Sequence, residues 1–484
     1  PDKETLISLL ASIQVCTRCG KCKLVCPMCY PERSMQYQPR NKNMALGMLL
    51  EAVYYSQLNT GKIDDRLLRQ LRDLVEHCTA CGRCMANCPV RIPSGEVALS
   101  LRGMLEHEGA GGHPLKDRAL DWLVKDVEHR VPKAAKMASL GQKMQNRILD
   151  FVPKGWQKRI ESPLFSGKGP KTGYTNLYES LKLHRGSVFA PREPEPGMEL
   201  ALYFPGCGGA LFHDRIGMSS IMLMLEAGLA VAVPPRHLCC GYPLLAAGKD
   251  TAFDDNQAIT RQYLASMLRN LAKQGFDCRW LVTACGSCRD SMERTKLTES
   301  FPGLKIQDIS QLTLPRLASS APRKNQPVPI YHGSCHCEWA DVHKIKGQNM
   351  LVQALRDFSG SEIEVSRGCC GESGMGAMTS PGIYNLLRER KRRNLEQAFA
   401  AGNEGPVIAG CPSCKIGLGR TLLAMHEKRP VLHIAEWIAG QIDGEDRRQS
   451  FRKRVNETRG AIRIVRPTSE AAPENPDAPE ELSV

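Results

Sequence analysis

The chain has 484 residues, of which 42% are hydrophobic and 24% charged, a globular composition that allows three or four domains of about 100–200 residues each. We expect neither a transmembrane helix nor a signal peptide, because no run of about 18 apolar residues occurs. The formal net charge is +14, but metal-bound thiolates would cancel part of it. The basic residues are not interleaved with aromatic residues, so the sequence does not indicate a nucleic-acid-binding surface. Twenty-one cysteines without a secretory signal favour metal or redox chemistry in the cytoplasm over disulfides.

The first 112 residues carry one cysteine pattern twice. Cys-x-x-Cys-x-x-Cys-x-x-x-Cys-Pro occurs at residues 16–27 and again at 78–89. In bacterial ferredoxins this spacing places three thiolates on one cubane 4Fe-4S cluster and the fourth on a second cluster. Zinc sites prefer two Cys-x-x-Cys pairs or Cys/His mixtures and are the weaker interpretation. The sequence predicts one cluster held by Cys16, Cys19, Cys22 and Cys88 and another held by Cys78, Cys81, Cys84 and Cys26.

Helical spacing of apolar residues predicts that this domain is helix-rich. A short helix precedes Cys16, and apolar residues recur at helical intervals over residues 43–55 and 63–77. A further helix starts at Ser94 and ends near residues 109–112. We therefore assign residues 1–112 to a helical ferredoxin domain with two 4Fe-4S clusters.

Residues 113–196 contain no cysteine and are predicted to be a helical linker. Two basic amphipathic segments lie at residues 115–127 and 136–151, and Trp122, Trp156 and Phe165 are candidate anchors. One interpretation is a surface that sits on a membrane or a partner. We favour a linker that packs its apolar stripe on the neighbouring domains, because such a stripe is the default for a globular helix.

Residues 197–322 and 323–444 repeat a single arrangement. Each has a cysteine at the end of a strand, a Cys-Cys-Gly block and a Cys-x-x-Cys pair at nearly constant offset, which indicates a duplication. Strand–helix–strand order predicts two α/β domains with parallel strands. The predicted strands span 200–204, 230–233 and 280–283, then 328–332, 362–365 and 407–409. The fold class is therefore multidomain α plus α/β.

Cysteines just past the C-terminal strand ends occupy the place where open α/β sheets bind ligands. The predicted metal ligands are Cys207, Cys239, Cys240, Cys285 and Cys288 in the first repeat and Cys335, Cys369, Cys370, Cys411 and Cys414 in the second. Five thiolates exceed the needs of one cubane, so each repeat holds an atypical iron–sulfur cluster or a cluster plus a reactive thiol. A metal-free redox dithiol is the alternative. The candidate catalytic residues are Cys239, Cys240, Cys369 and Cys370.

Several other residues have less specific interpretations. Cys29 and Cys278 fit buried structural roles, and Cys337 is an alternative ligand to Cys335. Histidines near the repeat cysteines are candidates for hydrogen bonds or proton transfer, although such histidines are more often structural. These are His237, His332 and His336.

Nothing in the sequence indicates a nicotinamide, flavin or nucleotide phosphate site, because no Gly-x-Gly-x-x-Gly opens a helix and no Gly-x-x-x-x-Gly-Lys occurs. Residues 445–484 are predicted to form a basic helix and then a tail that is disordered from about Pro467.

These motifs together resemble the heterodisulfide reductase catalytic subunit family, which includes iron–sulfur subunits of glycolate oxidase and anaerobic glycerol-3-phosphate dehydrogenase. The resemblance covers residues 10–440 and is carried by residues 204–207, residues 331–336 and both Cys-Cys-Gly blocks. It implies one or two noncubane 4Fe-4S clusters in the repeats beside the two cubanes. Some relatives fuse a flavin domain ahead of the module, which fits a chain that begins at Pro1 and belongs to a larger FAD-linked dehydrogenase. Cys337 and a longer gap from Cys240 to Cys285 depart from the family pattern.

The resemblance implies an oxidoreductase component that carries electrons from a flavoprotein subunit or domain, which holds the FAD, to quinone or another acceptor. The expected substrate of the complex is a 2-hydroxy acid such as glycolate, D-lactate or D-2-hydroxyglutarate, or glycerol 3-phosphate. A membrane quinone-reactive subunit is a further expected partner, which would place the chain in the cytoplasm on the inner face of the membrane. The alternative is a disulfide reductase that uses noncubane 4Fe-4S clusters. A scaffold with structural clusters is the third interpretation.

Overall fold

The computed structural model describes residues 3–29, 35–153, 167–173, 175–317, 327–336, 339, 344–372, 376, 380–444 and 447–468. A helical N-terminal part precedes two α/β parts, which confirms the predicted fold class. Within those ranges the structure contains no helix whose length and hydropathy would let it span a bilayer. Trp156, Phe165 and Cys337 lie outside the described residues.

The N-terminal part consists of helices whose ends follow from local sequence. Pro39 lies in the first turn of a long helix that stops at Gly61, where φ is 67°, a conformation that glycine adopts without strain. Asp64 caps the next helix, since its carboxylate accepts a hydrogen bond of 2.7 Å from the backbone N–H of Arg66. The helices are Lys3–Gln14, Pro39–Thr60, Asp65–Glu76, Arg83–Ala86 and Ser94–His107, with a 3-10 turn at Lys21–Leu24.

One apolar core joins these helices. Leu6, Leu50, Leu71 and Leu101 come from four different helices, and each is fully buried. Burying a leucine side chain contributes about 1.5–3 kcal/mol, so the helices form a stable frame. The two cysteine loops run between these helices and are held at both ends by them.

Two further helices, Pro114–Val124 and Val127–Ile148, connect this frame to the repeats. The second helix begins at Val127, ahead of the amphipathic segment predicted at residues 136–151. It contains Pro132, and because proline usually breaks a helix interior, the sequence does not predict a helix through this position. Leu115 is 83% exposed and Phe151 is 89% exposed. The linker therefore does not bury all of its apolar side chains against its neighbours.

The described residues form ten strands in two sheets. They are β1 (Val188–Ala190), β2 (Glu199–Phe204), β3 (Ala230–Ala232), β4 (Asp277–Thr283), β5 (Lys305–Asp308), β6 (Ile330–His332), β7 (Glu364–Ser366), β8 (Val407–Ala409), β9 (Val431–His433) and β10 (Ile462–Ile464). The first sheet has the order β10-β1-β3-β2-β4-β5 and the second has the order β7-β6-β8-β9. β2 to β5 pair in parallel, as do β6 to β9, which confirms that prediction. β1 is antiparallel to β3.

The second sheet repeats the core of the first. β6, β7, β8 and β9 take the places of β2, β3, β4 and β5. The single cysteine follows β2 or β6, the vicinal pair follows β3 or β7, and the Cys-x-x-Cys pair follows β4 or β8. Because the strands are parallel, all these cysteines lie at the same edge of their sheet.

The two repeats share one core. The helix Asp214–Glu226 packs against the helix Ile434–Asp443 of the second repeat, and its residues from Ile216 to Leu225 are all buried. A helix that is apolar on every side belongs in such an interior position. The repeat helices are Leu177–Ser180, Asp214–Glu226, Tyr242–Ala247, Asp250–Lys273, Gly286–Arg294, Leu297–Ser300, Ile309–Thr313, Lys344–Ser359, Pro381–Ala400, Pro412–Ala424, Ile434–Asp443 and Arg447–Glu457, with short turns at Leu183–Arg185, Gly208–Phe212 and Leu314–Arg316.

The C-terminal segment returns to the first sheet. Its predicted basic helix is present at Arg447–Glu457, but β10, which pairs in parallel with β1, is not anticipated by the sequence. Arg463 in β10 is fully buried and donates a hydrogen bond of 2.6 Å to the carbonyl oxygen of Leu181. The segment predicted to be disordered lies outside the described residues from position 469 onward.

Candidate metal centres

The first ferredoxin site is a pocket between the N-terminal helices. Its loop reverses tightly because Arg18 and Gly20 adopt φ values of 59° and 76°, and Ala80 and Gly82 repeat this geometry at 49° and 67° in the second loop. Left-handed residues on both sides of the middle cysteine turn successive thiols toward one side. Five thiols line the pocket, those of Cys16, Cys19, Cys22, Cys84 and Cys88. Four of them are the set assigned to the first cluster, and Cys84 belongs to the set assigned to the second, so the ligand roles stay a prediction.

The second ferredoxin site surrounds a buried lysine. Lys42 is 2% exposed and donates a hydrogen bond of 3.2 Å to the carbonyl oxygen of His77. Burial alone would lower the pKa of Lys42, but the nearby thiolates of Cys78, Cys26 and Cys84 outweigh burial and raise it. The thiols that interact here are Cys26, Cys78, Cys81 and Cys84. They are the four residues assigned to the second cluster.

Two cations of this site are not predicted by the sequence. Lys42 lies in the polar stretch at residues 40–43, which is typical of a solvated helix start. Arg102 donates to the carbonyl oxygens of Cys78 at 2.6 Å and Val75 at 2.8 Å. Burial alone would raise the pKa of Cys78, but both cations act against it and the pKa of this thiol is lowered. The site therefore stabilises negative charge on sulfur.

The ten predicted ligands of the two repeats form one continuous group. Cys335 and Cys369 have their sulfur atoms 3.8 Å apart. Across the boundary between the repeats, Cys285 and Cys411 have sulfur atoms 3.9 Å apart. Neighbouring thiols make hydrogen bonds in the order Cys207, Cys239, Cys240, Cys288, Cys285, Cys411, Cys414, Cys370, Cys369, Cys335. The two predicted sites consequently meet at the repeat boundary.

This group of thiols fits a metal cluster chemically. Two thiolates bound about 2.3 Å from one tetrahedral metal lie roughly 3.8 Å apart. A hydrogen bond from Cys369 lowers the pKa of Cys370 to about 5, whereas the hydrogen bond to Cys370 is the first cause that raises the pKa of Cys414 well above its usual range. Buried thiols in contact cannot all ionise without a cation, and bound iron would supply that positive charge.

Glycine in each Cys-Cys-Gly block has a structural reason. Gly241 and Gly371 adopt φ values of 74° and 70°, which favour glycine. A Cβ on Gly241 would lie 2.8 Å from the side-chain nitrogen of Asn256, and one on Gly371 would lie 2.5 Å from Cγ of Arg388. Each glycine N–H also points at the first sulfur of its pair, at 3.3 and 3.4 Å. Each Cys-Cys-Gly block therefore keeps the backbone of its glycine close to the two adjacent thiols.

The three candidate histidines have different surroundings. His336 bonds the hydroxyl of Tyr242 at 2.9 Å and also an aspartate, as a structural histidine would. His237 lies 3.3 Å from the hydroxyl of Tyr178, and burial lowers its pKa to about 4. His332 is buried, and its ring and the sulfurs of the Cys370–Cys414 contact can surround one metal ion. Of these three histidines, His332 is therefore the one whose ring lies beside the thiols of Cys370 and Cys414 in the second repeat.

The remaining cysteines stand apart from these groups. Cys29 is buried, and its carbonyl oxygen accepts a hydrogen bond of 2.8 Å from Arg390. Cys278 lies in β4, where burial raises its pKa to about 12. Both environments suit structural cysteines. Cys337 is outside the described residues, so its role as an alternative to Cys335 stays a prediction.

An arginine ties the second ferredoxin site to the second repeat. Arg83, which lies between two predicted ligands, donates to the carbonyl oxygens of Gly333 at 3.0 Å and Ser334 at 2.7 Å. Cys335 follows directly, and the charge on its sulfur acts on Cys81. This loop contact therefore joins the second ferredoxin site to the segment that carries Cys335.

Comparison with protein families agrees with this division of the thiols. Residues 12–92 match the 4Fe-4S dicluster domain, and residues 201–293 and 330–419 each match the cysteine-rich domain. The chain joins a 4Fe-4S dicluster domain to two cysteine-rich domains. The dicluster domain contains the eight predicted ferredoxin ligands, and each cysteine-rich domain contains five of the ten predicted repeat ligands. These matches and the thiol geometry support bound 4Fe-4S clusters.

Three relatives carry names that refer to fumarate reductase, lactate utilization and glycolate oxidase. A fumarate reductase (CoM/CoB) subunit from Methanothermobacter marburgensis is 23% identical over 71% of this chain, which spans 57% of that relative. A lactate utilization protein A 2 of Bacillus cereus is 24% identical over 50% of the chain and 98% of its own length. A probable glycolate oxidase iron-sulfur subunit of Bacillus subtilis is 21% identical over 87% of the chain and 92% of its own length.

Proposed function

We propose that this chain is the iron–sulfur electron-transfer component of a flavin-dependent oxidoreductase. The observation that carries the proposal is the contact between domains. Arg83 of the dicluster domain donates hydrogen bonds to the carbonyl oxygens of Gly333 and Ser334, which directly precede Cys335 of the second cysteine-rich domain. Cys84 of the second ferredoxin set also lines the pocket of the first set. These contacts join the ferredoxin sites to the repeats, an arrangement that suits passage of electrons better than separate structural sites would.

Clusters bound to these thiols would supply one-electron transfer. The chain contributes the ligands, the exclusion of water and the local charge. Cys240, Cys288, Cys369 and Cys370 are all buried, so water would be kept from most of the repeat site. Lys42 and Arg102 hold positive charge beside one ferredoxin site, where it favours electron uptake. Arg83 fixes the spacing between the two parts.

We assign two cubane 4Fe-4S clusters to the two ferredoxin sets and one or two noncubane 4Fe-4S clusters to the ten repeat thiols. The vicinal cysteines that follow β3 and β7 are then the residues at which the redox chemistry of the repeats takes place. The contact between Cys285 and Cys411 supports closely spaced clusters at the repeat boundary. FAD is placed on a partner.

The names of two relatives support a proposal for the substrate class of the complex. Two of them are named for glycolate oxidation and lactate utilization, so we propose a 2-hydroxy acid such as glycolate, D-lactate or D-2-hydroxyglutarate, with glycerol 3-phosphate as a further candidate. The proposed partners are a flavoprotein dehydrogenase subunit or domain and a membrane quinone-reactive subunit. This places the chain in the cytoplasm, peripheral to the inner face of the membrane.

Anaerobic purification of the native complex tests the proposal. We expect about sixteen irons per chain, from two cubanes and a four-iron cluster in each repeat. Cluster absorbance should bleach under argon when one of the named hydroxy acids or glycerol 3-phosphate is added. Full iron content without bleaching by any of these substrates would refute the dehydrogenase role. About eight irons would confine clusters to the dicluster domain.

A second candidate is a disulfide reductase. Both repeats keep all five cysteines, and one relative is a fumarate reductase subunit named for the thiols CoM and CoB. A degenerate repeat would be expected in a protein that only conducts electrons, so the intact ten-thiol group favours this candidate. A viologen-driven assay measures it directly: thiol release from an added disulfide supports it, and no release from any disulfide offered opposes it.

A further inference from the structure

His332 is an unusual buried residue. Its side chain is at the end of β6 and is fully buried. Neither ring nitrogen has a hydrogen-bond partner within the described part of the chain. A ring nitrogen and the sulfurs of Cys370 and Cys414 lie within 4.8 Å of one another. The ring is thus directed at two predicted cluster ligands.

The duplication shows that packing does not require a histidine here. β6 takes the place of β2, and the last residue of β2 is Phe204. Phe204 is also buried, and it packs in the same apolar cluster as Cys240 and Cys288. Those two thiols correspond to the pair beside His332. An apolar ring therefore occupies the equivalent position without loss of the fold.

The ring of His332 carries at least one N–H donor in either protonation state. An N–H buried without a partner is costly, so a sulfur acceptor at this place would compensate. Five thiols already provide the repeat with enough ligands, so we assign the ring to hydrogen bonding rather than ligation.

We propose that His332 donates its ring N–H to a sulfur of the iron–sulfur cluster in the second cysteine-rich domain and raises the reduction potential of that cluster. This inference rests on the proposed function, because it requires a cluster in that domain. A hydrogen bond to sulfur stabilises the more negative, reduced cluster. His332 makes the second site chemically different from the first, where Phe204 offers no donor.

The test compares His332→Phe with the wild-type holoprotein by EPR-monitored redox titration under argon. We expect one cluster signal to shift to lower potential by a tenfold or larger change in its redox equilibrium, which is about 59 mV for one electron. The other signals and the iron content should stay unchanged. His332→Asn, which keeps an N–H, should retain most of the wild-type potential. In protein labelled with 15N-histidine, a weak nitrogen coupling in pulsed EPR should be absent from His332→Phe.

The reciprocal variant Phe204→His guards against a folding defect at position 332. It should raise the potential of the cluster in the first domain. Unchanged potentials in His332→Phe at full iron content would overturn the inference and leave the proposed function intact. Loss of iron from the second domain, or the strong coupling of a directly bound nitrogen, would show ligation and overturn it as well. Wild-type protein with iron only in the dicluster domain would overturn both proposals.

Discussion

Lys42 is the residue whose replacement most directly tests the electrostatics of the dicluster domain. The Lys42→Met variant keeps the length and apolar part of the side chain but removes its charge beside Cys78 and Cys26. We expect the reduction potential of the second dicluster cluster to fall, because the reduced cluster loses a stabilising cation. The first cluster should change less, because Lys42 is not among the residues that line its pocket.

Coulomb's law gives the size of the shift. The buried Lys42 ammonium stabilises negative charge on the Cys78 sulfur, and two unit charges about 4 Å apart interact by roughly 4 kcal/mol at an effective dielectric constant of 20. Cluster charge is spread over several atoms and Arg102 remains, so we expect about half of this. About 2 kcal/mol corresponds to a potential shift on the order of 90 mV for one electron.

An EPR-monitored redox titration of the reduced holoprotein measures this shift. The matched control is Lys42→Arg, which keeps the charge and should keep the potential close to that of the wild type. An unchanged midpoint in Lys42→Met at full iron content would refute the electrostatic reasoning. An equal shift in both variants would refute it too, since it would show a packing effect.

Three further variants test other parts of the structure. Cys285→Ser should lose iron from the repeats whereas Cys278→Ser should keep it, as measured by iron per chain, and equal iron in both would contradict the ligand assignment. Arg83→Ala removes two charge-assisted hydrogen bonds worth about 1.5–3 kcal/mol each. Because these bonds hold the dicluster domain against the second repeat, the rate at which the repeat clusters are reduced in a stopped-flow experiment should fall. An unchanged rate would exclude a role for the loop contact. Burial would raise the pKa of Glu436, but Lys415 outweighs burial and lowers this pKa to about 2. The ion pair therefore contributes about 3 kcal/mol to the free energy of unfolding above pH 4.5. This contribution is lost as the pH falls toward 2 and the carboxylate is protonated. Glu436→Gln should lack this acid sensitivity in circular dichroism, and a wild-type-like acid transition would contradict the pairing.

The parts of the fold that depend on short-range pattern were predictable. Cysteine spacing and the helical intervals over residues 43–55 and 63–77 gave a helix-rich N-terminal part, and strand–helix–strand order gave two parallel α/β units. The strand that ends at Phe204 and the one that ends at Ala409 were located within a residue or two. Such features are encoded locally, so the sequence alone shows them.

Contacts between distant segments were not predictable. Nothing near Cys285 indicates that its sulfur lies 3.9 Å from that of Cys411. Lys42 and Arg83 look like surface residues because their partners lie far along the chain or on backbone carbonyls. The vicinal thiols were recognised as unusual, but the continuity of all ten thiols depends on how two sheets pack, which no local pattern encodes.

The pairing of β10 with β1 has a consequence for biosynthesis. The two strands are separated along the chain by the rest of the first repeat and all of the second. Until residues 462–464 leave the ribosome, β1 presents an unpaired edge, which is a site for wrong strand pairing. Long-range pairing of this kind forms late, so the first cysteine-rich domain is completed after the second has been synthesised. Iron would then be delivered to the joint thiol group after translation, when both halves of the site exist.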